Sequence, residues 1–326
     1  MTEPGRHMRA EIAESSGVFA TALANIPTGL TLPDAFYTIA RGSSDAAANI
    51  LSYEFMRELG LPMTSLPPSV FSVGGGVSLH GTTVLVVSQS GASEDLLRSA
   101  KGARANGATV IGLINQPGSP IEAVAHLTLP IGAGPELAVP ATKTVIGSIA
   151  AGMALLSALK PSYAVRAAAN AQTLDLPNHP QSKALISALL RANHVYVIGR
   201  DTGYGAAREL ALKIKETCAI HAEAYSSSEV LHGPLQLATN PLLVLIVDTG
   251  QPDVQDSLNT AEARFRAISG VVYRLRPSDV GSSGLTPAAA AALLLCLAYP
   301  IVLDTALALG HDPDRPATLS KVTQTT

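Results

Sequence analysis

The sequence is poor in cysteine and in charge, and both shortages narrow what the chain can be. Cys218 and Cys296 are its only cysteines, too few for a disulfide framework or a cysteine-rich zinc site and compatible with a reducing cytoplasm. Charged residues make up 14% of the chain and the net charge is -3, so no basic excess calls for nucleic acid or an anionic membrane. The opening run Met-Thr-Glu-Pro-Gly-Arg has no apolar core and does not read as a signal peptide, so export is not expected. The G-x-S-x-G elbow of esterases and the G-x-x-x-x-G-K-[ST] nucleotide loop are both missing, and Gly74 to Gly76 lacks the dinucleotide spacing. His221-x-Glu223 supplies two potential metal ligands without a third, so neither a metal nor a cofactor is expected.

What is present is apolar sequence punctuated by turns. Hydrophobic residues make up 47% of the 326 positions, with 27 Gly and 22 Pro, a composition that suits buried parallel sheets joined by tight loops and leaves room for two domains. One uncharged stretch, Thr286 to Leu303, reaches the lower length limit of a membrane span. Pro300 interrupts it, Asp304 ends it and six of its residues are alanine, so it reads as a buried helix at the core or a subunit contact.

The stretch Thr83 to Asp95 carries the first functional signal. A β-branched, uncharged run ends abruptly in Ser88-Gln89-Ser90-Gly91, and a helical pattern follows from Leu96-Leu97. A strand feeding hydroxyl groups into a helix N-terminus suits a phosphate. On its own, Ser93 followed by Glu94 and Asp95 reads equally well as an ordinary helix cap.

Similar units precede and follow. Residues 6–30 predict a helical lead-in through Met8, Ile12, Phe19 and Leu23, closed by Pro27 and Gly29. Phe36 to Ala40 predicts a strand, Arg41 to Asp45 a loop, and Ala48 through Leu59 a helix ending at Gly60. Thr109 to Asn115 and Leu127 to Ile131 predict further strands, and Thr144 to Ala171 is helix-favouring. After a break at Pro177 to Pro180 the pattern restarts, with strands at His194 to Ile198 and Leu242 to Asp248 around a helix from Ala206 to Thr217. Arg41 falls on Arg200 and Gly91 on Gly250 at one common offset of 159 residues, as expected of two copies of one α/β unit, each a doubly wound parallel sheet flanked by helices. Where the first copy has serines the second has Asp248-Thr249-Gly250, whose acid would repel a phosphate, so only the first is expected to bind an anion.

Seven motifs in order resemble the sugar isomerase (SIS) family: Gly42-Ser43-Ser44, Ser88-Gln89-Ser90-Gly91, Ala141-Thr142-Lys143, Ala211 to Glu216, His221 to Tyr225, Leu231-His232-Gly233-Pro234 and Leu319-Ser320-Lys321. The resemblance runs from about residue 34 to the C-terminus. It is closest to the isomerase half of glucosamine-6-phosphate synthase and to SIS-type glucosamine-6-phosphate deaminases. It implies a lead-in at 1–33, a phosphate-binding SIS domain at 34–175, a second at 176–310 and a tail at 311–326 that closes the site. It further implies that Ser43, Ser44, Ser88, Gln89, Ser90 and Ser93 line a sugar phosphate pocket, with Val139 and Ala141 against the sugar. By the same resemblance Glu216 is the base, Lys213 stands beside it, Lys321 engages the open-chain carbonyl, and His232 helps open the ring from the neighbouring subunit of a homodimer.

Each of these residues has a plainer reading. Glu216 alone is a helix-surface acid next to a favourable Glu209–Lys213 pair at i,i+4; a lone histidine such as His232 is usually structural; a lysine as near the end as Lys321 is normally solvated. The sequence is not expected to draw ammonia from glutamine as the synthase does, having neither the length nor the N-terminal cysteine for it, so free ammonia is expected as product or substrate. The expected activity is conversion of glucosamine 6-phosphate to fructose 6-phosphate and ammonia. The alternatives are a synthase-like isomerase using free ammonia, a galactosamine 6-phosphate deaminase, a fructosamine 6-phosphate deglycase, or a phosphosugar-binding regulator without activity. Ala92 and Ala141 stand where the synthase carries more polar residues, which bears on the sugar contacts.

Overall fold

The computed structural model describes residues 3–171, 174, 178–268 and 270–321. The expected boundary between 175 and 176 and the last five residues of the tail lie outside them. The first half runs α1 (Arg6–Ala24), β1 (Ala35–Ile39), α2 (Gly42–Leu59), β2 (Met63–Ser65), α3 (Ser69–Ser72), β3 (Thr82–Ser88), α4 (Glu94–Ala105), β4 (Thr109–Ile114), β5 (Leu127–Pro130), α5 (Lys143–Leu159) and α6 (Pro161–Ala168). The second runs α7 (Ser182–Leu189), β6 (His194–Gly199), α8 (Thr202–Cys218), β7 (His221–Ser226), β8 (Leu243–Val247), α9 (Gln255–Ala267), β9 (Val271–Leu275) and α10 (Pro287–Ala308).

Two wholly parallel sheets result, ordered β2-β1-β3-β4-β5 and β7-β6-β8-β9. The common offset is kept in three dimensions: Phe36 pairs with Met63 as Val195 pairs with Ala222, and Gly91 and Gly250 both have positive φ. Strand residues alternate between two apolar environments, as period two requires. Leu85 and Val87 face a central core while Val84 and Val86 face α4. In the second sheet Leu243 and Leu245 face that same core while Val244 and Ile246 face α9. Both sheets therefore lie against one shared layer that includes α2, α5, α8 and α10.

Several expectations change. α1 stops at Ala24, three residues before Pro27. The expected loop at Arg41 to Asp45 is helical from Gly42, which enters with a φ of +51°, so Ser43 and Ser44 lie in the first turn of α2; serine and aspartate both suit a helix's first turn. Lys160-Pro161 divides the long helical region into α5 and α6, because the residue before a proline is pushed out of the α conformation. Pro300 and Asp304 lie within α10 rather than ending it; Arg9 bonds Asp304 at 3.4 Å. α10 is long and apolar enough to cross a membrane, yet most of it is buried inside this fold.

Candidate active site

Strand order reverses between β1 and β3, and beyond their carboxyl ends lies a cavity of about 360 Å³, the place where open α/β sheets hold ligands. Ser43 and Ser44 reach it from the first turn of α2; Ser88, Gln89, Ser90 and Ser93 reach it from the turn between β3 and α4. Gly91 permits that turn: its φ is +60° and a Cβ would sit 2.2 Å from Ser119 Oγ, so a side chain has neither the conformation nor the space. The Ser88 and Ser90 hydroxyls accept from Gly91 and Ala92 N–H at 3.0 and 3.3 Å, which leaves their own O–H groups to donate. Ser93 stands at the N-cap of α4, but its hydroxyl makes no capping bond. Hydroxyls and the first turns of two helices border one cavity, an arrangement that favours an anion.

Val139, Ala141, Glu216 and Lys321 line the same cavity. Glu216 lies on α8 with its side chain 23% exposed and ion-pairs with Lys213. Lys213 does not line the cavity; it stands fully buried behind the wall, donating to Ser43 Oγ at 2.9 Å and lying 3.5 Å from Glu209 Oε1. Tyr299 of α10 also donates to Glu209 Oε1, at 3.2 Å, while Glu209 Oε2 has no partner among the described residues. Burial pushes the Glu209 carboxyl up to about 7 in spite of Lys213. Burial alone would lower Lys213, but Glu209 and Glu216 outweigh it and leave the ammonium favoured. Lys213 therefore links the serine end of the cavity to Glu216. The Glu209–Lys213 pair that sequence places on a helix surface is instead buried on both sides.

Lys321 is held by a residue that sequence reasoning missed. Its Nζ donates to Glu136 Oε2 at 3.1 Å and to the Ala138 carbonyl at 2.7 Å. Glu136, whose side chain is fully buried, also accepts from Thr142 and Thr144 N–H at 2.9 and 3.1 Å and from Thr144 Oγ1 at 2.7 Å. One carboxylate thus fixes the start of α5, next to Val139 and Ala141, and anchors the tail. Arg41 and Asp95 also line the cavity. No local pattern marks Glu136, since its partners come from the start of α5 and from a tail residue nearly two hundred positions away. Glu209 was visible only as a helical neighbour of Lys213. His232 is not brought to the cavity of its own chain; it is exposed at the end of a 3-10 turn, Glu229–His232. No group of three or more metal-ligating side chains occurs among the described residues.

Comparison with known proteins places this arrangement. The SIS domain family model matches residues 33–158 and 188–270. A glutamine–fructose-6-phosphate aminotransferase (isomerizing) from Aeropyrum pernix is 33% identical over 81% of this chain and 46% of its own length. The chain spans about half the length of such relatives. A crystal structure from Silicibacter pomeroyi DSS-3, described as a candidate phosphosugar isomerase, is 31% identical with a TM-score of 0.78, covering 94% of this chain and 99% of that one. Glucosamine-6-phosphate deaminase from Thermotoga maritima shares the fold at 19% identity, with a TM-score of 0.77 over 98% of this chain and 100% of its own. Two repeated sheets, a serine-lined cavity at the first and a family match that covers both lead to one conclusion: the chain belongs to the SIS domain family.

Proposed function

We propose that this chain is a phosphosugar isomerase whose reaction is the deamination of glucosamine 6-phosphate to fructose 6-phosphate and ammonia. The observation that carries the reading is one cavity lined both by the six serine and glutamine side chains and by Glu216 and Lys321. Relatives named for isomerising amino transfer to fructose 6-phosphate support the substrate class, as does the Silicibacter pomeroyi structure. In this reading 34–175 and 176–310 are two tandem SIS domains, 1–33 leads in and 311–326 closes the site. The protein acts as a homodimer in the cytoplasm, where the exposed His232 of one subunit serves the cavity of the other.

The chemistry follows from the residues. The serine set holds the phosphate, leaving the sugar between Val139, Ala141 and Glu216. His232 assists ring opening, and Lys321 engages the open-chain carbonyl. Glu216 removes the proton from C2 to give an enolamine and returns it to C1, which leaves an imine at C2. Water adds to that imine and ammonia departs, so one water is consumed for each ammonia released.

The test is to supply purified protein with glucosamine 6-phosphate and measure ammonia and fructose 6-phosphate in equal amounts. Binding without turnover would refute the enzyme and leave a sensor. If turnover occurs, Glu216→Gln is expected to abolish it while retaining sugar phosphate binding.

A further inference from the structure

We propose that Arg41 is the cation of the anion site, a specificity-determining residue that closes its guanidinium on the phosphate dianion of the ligand. The proposal rests on the phosphosugar reading above and adds a residue that reading does not use. Arg41 is the N-cap of α2, in extended conformation with φ −137°, and it lines the cavity between the two serine groups. Its Nε donates to Asp95 Oδ2 at 2.9 Å; the carboxylate is 1% exposed and the arginine side chain 53%. Asp95 thus fixes one edge of the guanidinium, while both Nη groups make no hydrogen bond among the described residues.

Charge bookkeeping singles it out. The other cation lining the cavity, Lys321, is engaged by Glu136 and a carbonyl, and Lys213 behind the wall is engaged by Glu216 and Ser43. A dianionic phosphate would otherwise meet hydroxyls and helix ends alone.

The second half supplies an independent observation. Arg200 stands at the same offset from Arg41, and its Nη1 donates to Ser226 Oγ at 2.9 Å, at the end of β7, and to Ser228 Oγ at 2.5 Å, just beyond it. Because β1–β2 and β6–β7 share one register, the positions equivalent to Ser226 and Ser228 are Pro67 and Ser69. Pro67 has no hydroxyl, and Ser69 is taken into α3. An arginine at this place therefore donates to oxygens at the strand ends; in the first half the chain leaves Nη without them, and a phosphate supplies them. A planar guanidinium offers two parallel donors to two phosphate oxygens, which a lysine does not.

The test is calorimetric titration with glucosamine 6-phosphate, fructose 6-phosphate and inorganic phosphate at pH 8, where the phosphate is dianionic. Arg41→Ala is expected to weaken all three by about 10- to 100-fold and to flatten the salt dependence of binding. Arg41→Lys, which keeps the charge without the fork, is expected to recover only part of the loss. Equal affinity in wild type and Arg41→Ala would overturn the role of Arg41 while leaving the phosphosugar reading intact. A wild-type protein that binds no sugar phosphate would overturn both.

Discussion

A lysine with no exposed surface persists in a fold only where acids and hydroxyls replace the water it has lost. Lys213 meets that condition through Glu209, Glu216 and Ser43. Lys213→Met, similar in length and uncharged, leaves two acids beside each other in the protein interior, and a loss of about 3 to 5 kcal/mol in urea unfolding is expected. Glu54 gives a second residue-level prediction. It is fully buried, accepts from Tyr163 at 2.9 Å, and burial raises its carboxyl from 4.5 to about 7. The folded state therefore holds a proton that the unfolded chain has released, so this contribution is present below pH 4.5 and is lost as pH rises through 7. The loss amounts to about 3 kcal/mol. Glu54→Gln, permanently neutral, is expected to remove it: denaturation at pH 5 and pH 8 would show a smaller fall in stability than wild type. At this scale the serine and glutamine set was legible because it lies in two short segments, one following β1 and one at the end of β3. Arg41, Glu136 and Glu209 were not, because their significance lies in partners far along the chain.

Among the elements, the crossing of α2 and α8 sets the site, because one carries Ser43 and the other Glu216. They touch where Gly205 meets Ile50: a Cβ on Gly205 would lie 2.5 Å from Ile50 Cγ1 and 2.8 Å from its backbone nitrogen. Gly205→Ala gains about 1 kcal/mol of helix propensity, yet backbone cannot yield as a side-chain tip can. A net loss of about 2 kcal/mol is expected, together with weaker sugar phosphate binding as the helices separate. Unchanged melting and affinity would show that the crossing tolerates the added methyl. The strands β1, β3, β4, β5, β6 and β8 and the helices α2 and α8 were readable from apolar runs bounded by turns. β2, of three residues, is too short to show a period, while β7, with His221 and Glu223, and β9, with Arg274, carry polar side chains that obscure it. The repeat shows in the structure instead, where β7 pairs with β6 in the register by which β2 pairs with β1.

At the scale of the whole molecule the two ends of the described chain are fastened together. Asp314 accepts from His7 and Met8 N–H at 2.9 and 2.8 Å and so caps α1, whose own N-cap, Gly5, has no side chain. Its carbonyl accepts from Val139 N–H at 3.0 Å, and Asp312 accepts from Gly5 N–H at 3.2 Å. Asp314→Ala is expected to cost about 1 to 2 kcal/mol and to raise amide exchange both in residues 6–9 and around Lys321. Faster exchange in only one of the two places would show that they are not coupled through this carboxylate.

The shared central core carries a consequence for how a ligand enters. Many enzymes built of two lobes admit substrate by a clam-shell motion, which needs a seam that can open without exposing apolar surface. Among the described residues there is no such seam, because α2, α5, α8 and α10 form one apolar layer in contact with both sheets. Opening it would expose much of the interior at about 25 cal/mol per Å². The chain bordering the cavity at Leu319, Ser320 and Lys321 is tied by two hydrogen bonds from Lys321 to Glu136 and Ala138. Passage across that border would require a local release of the tail from Glu136 and Ala138 rather than a movement of the lobes.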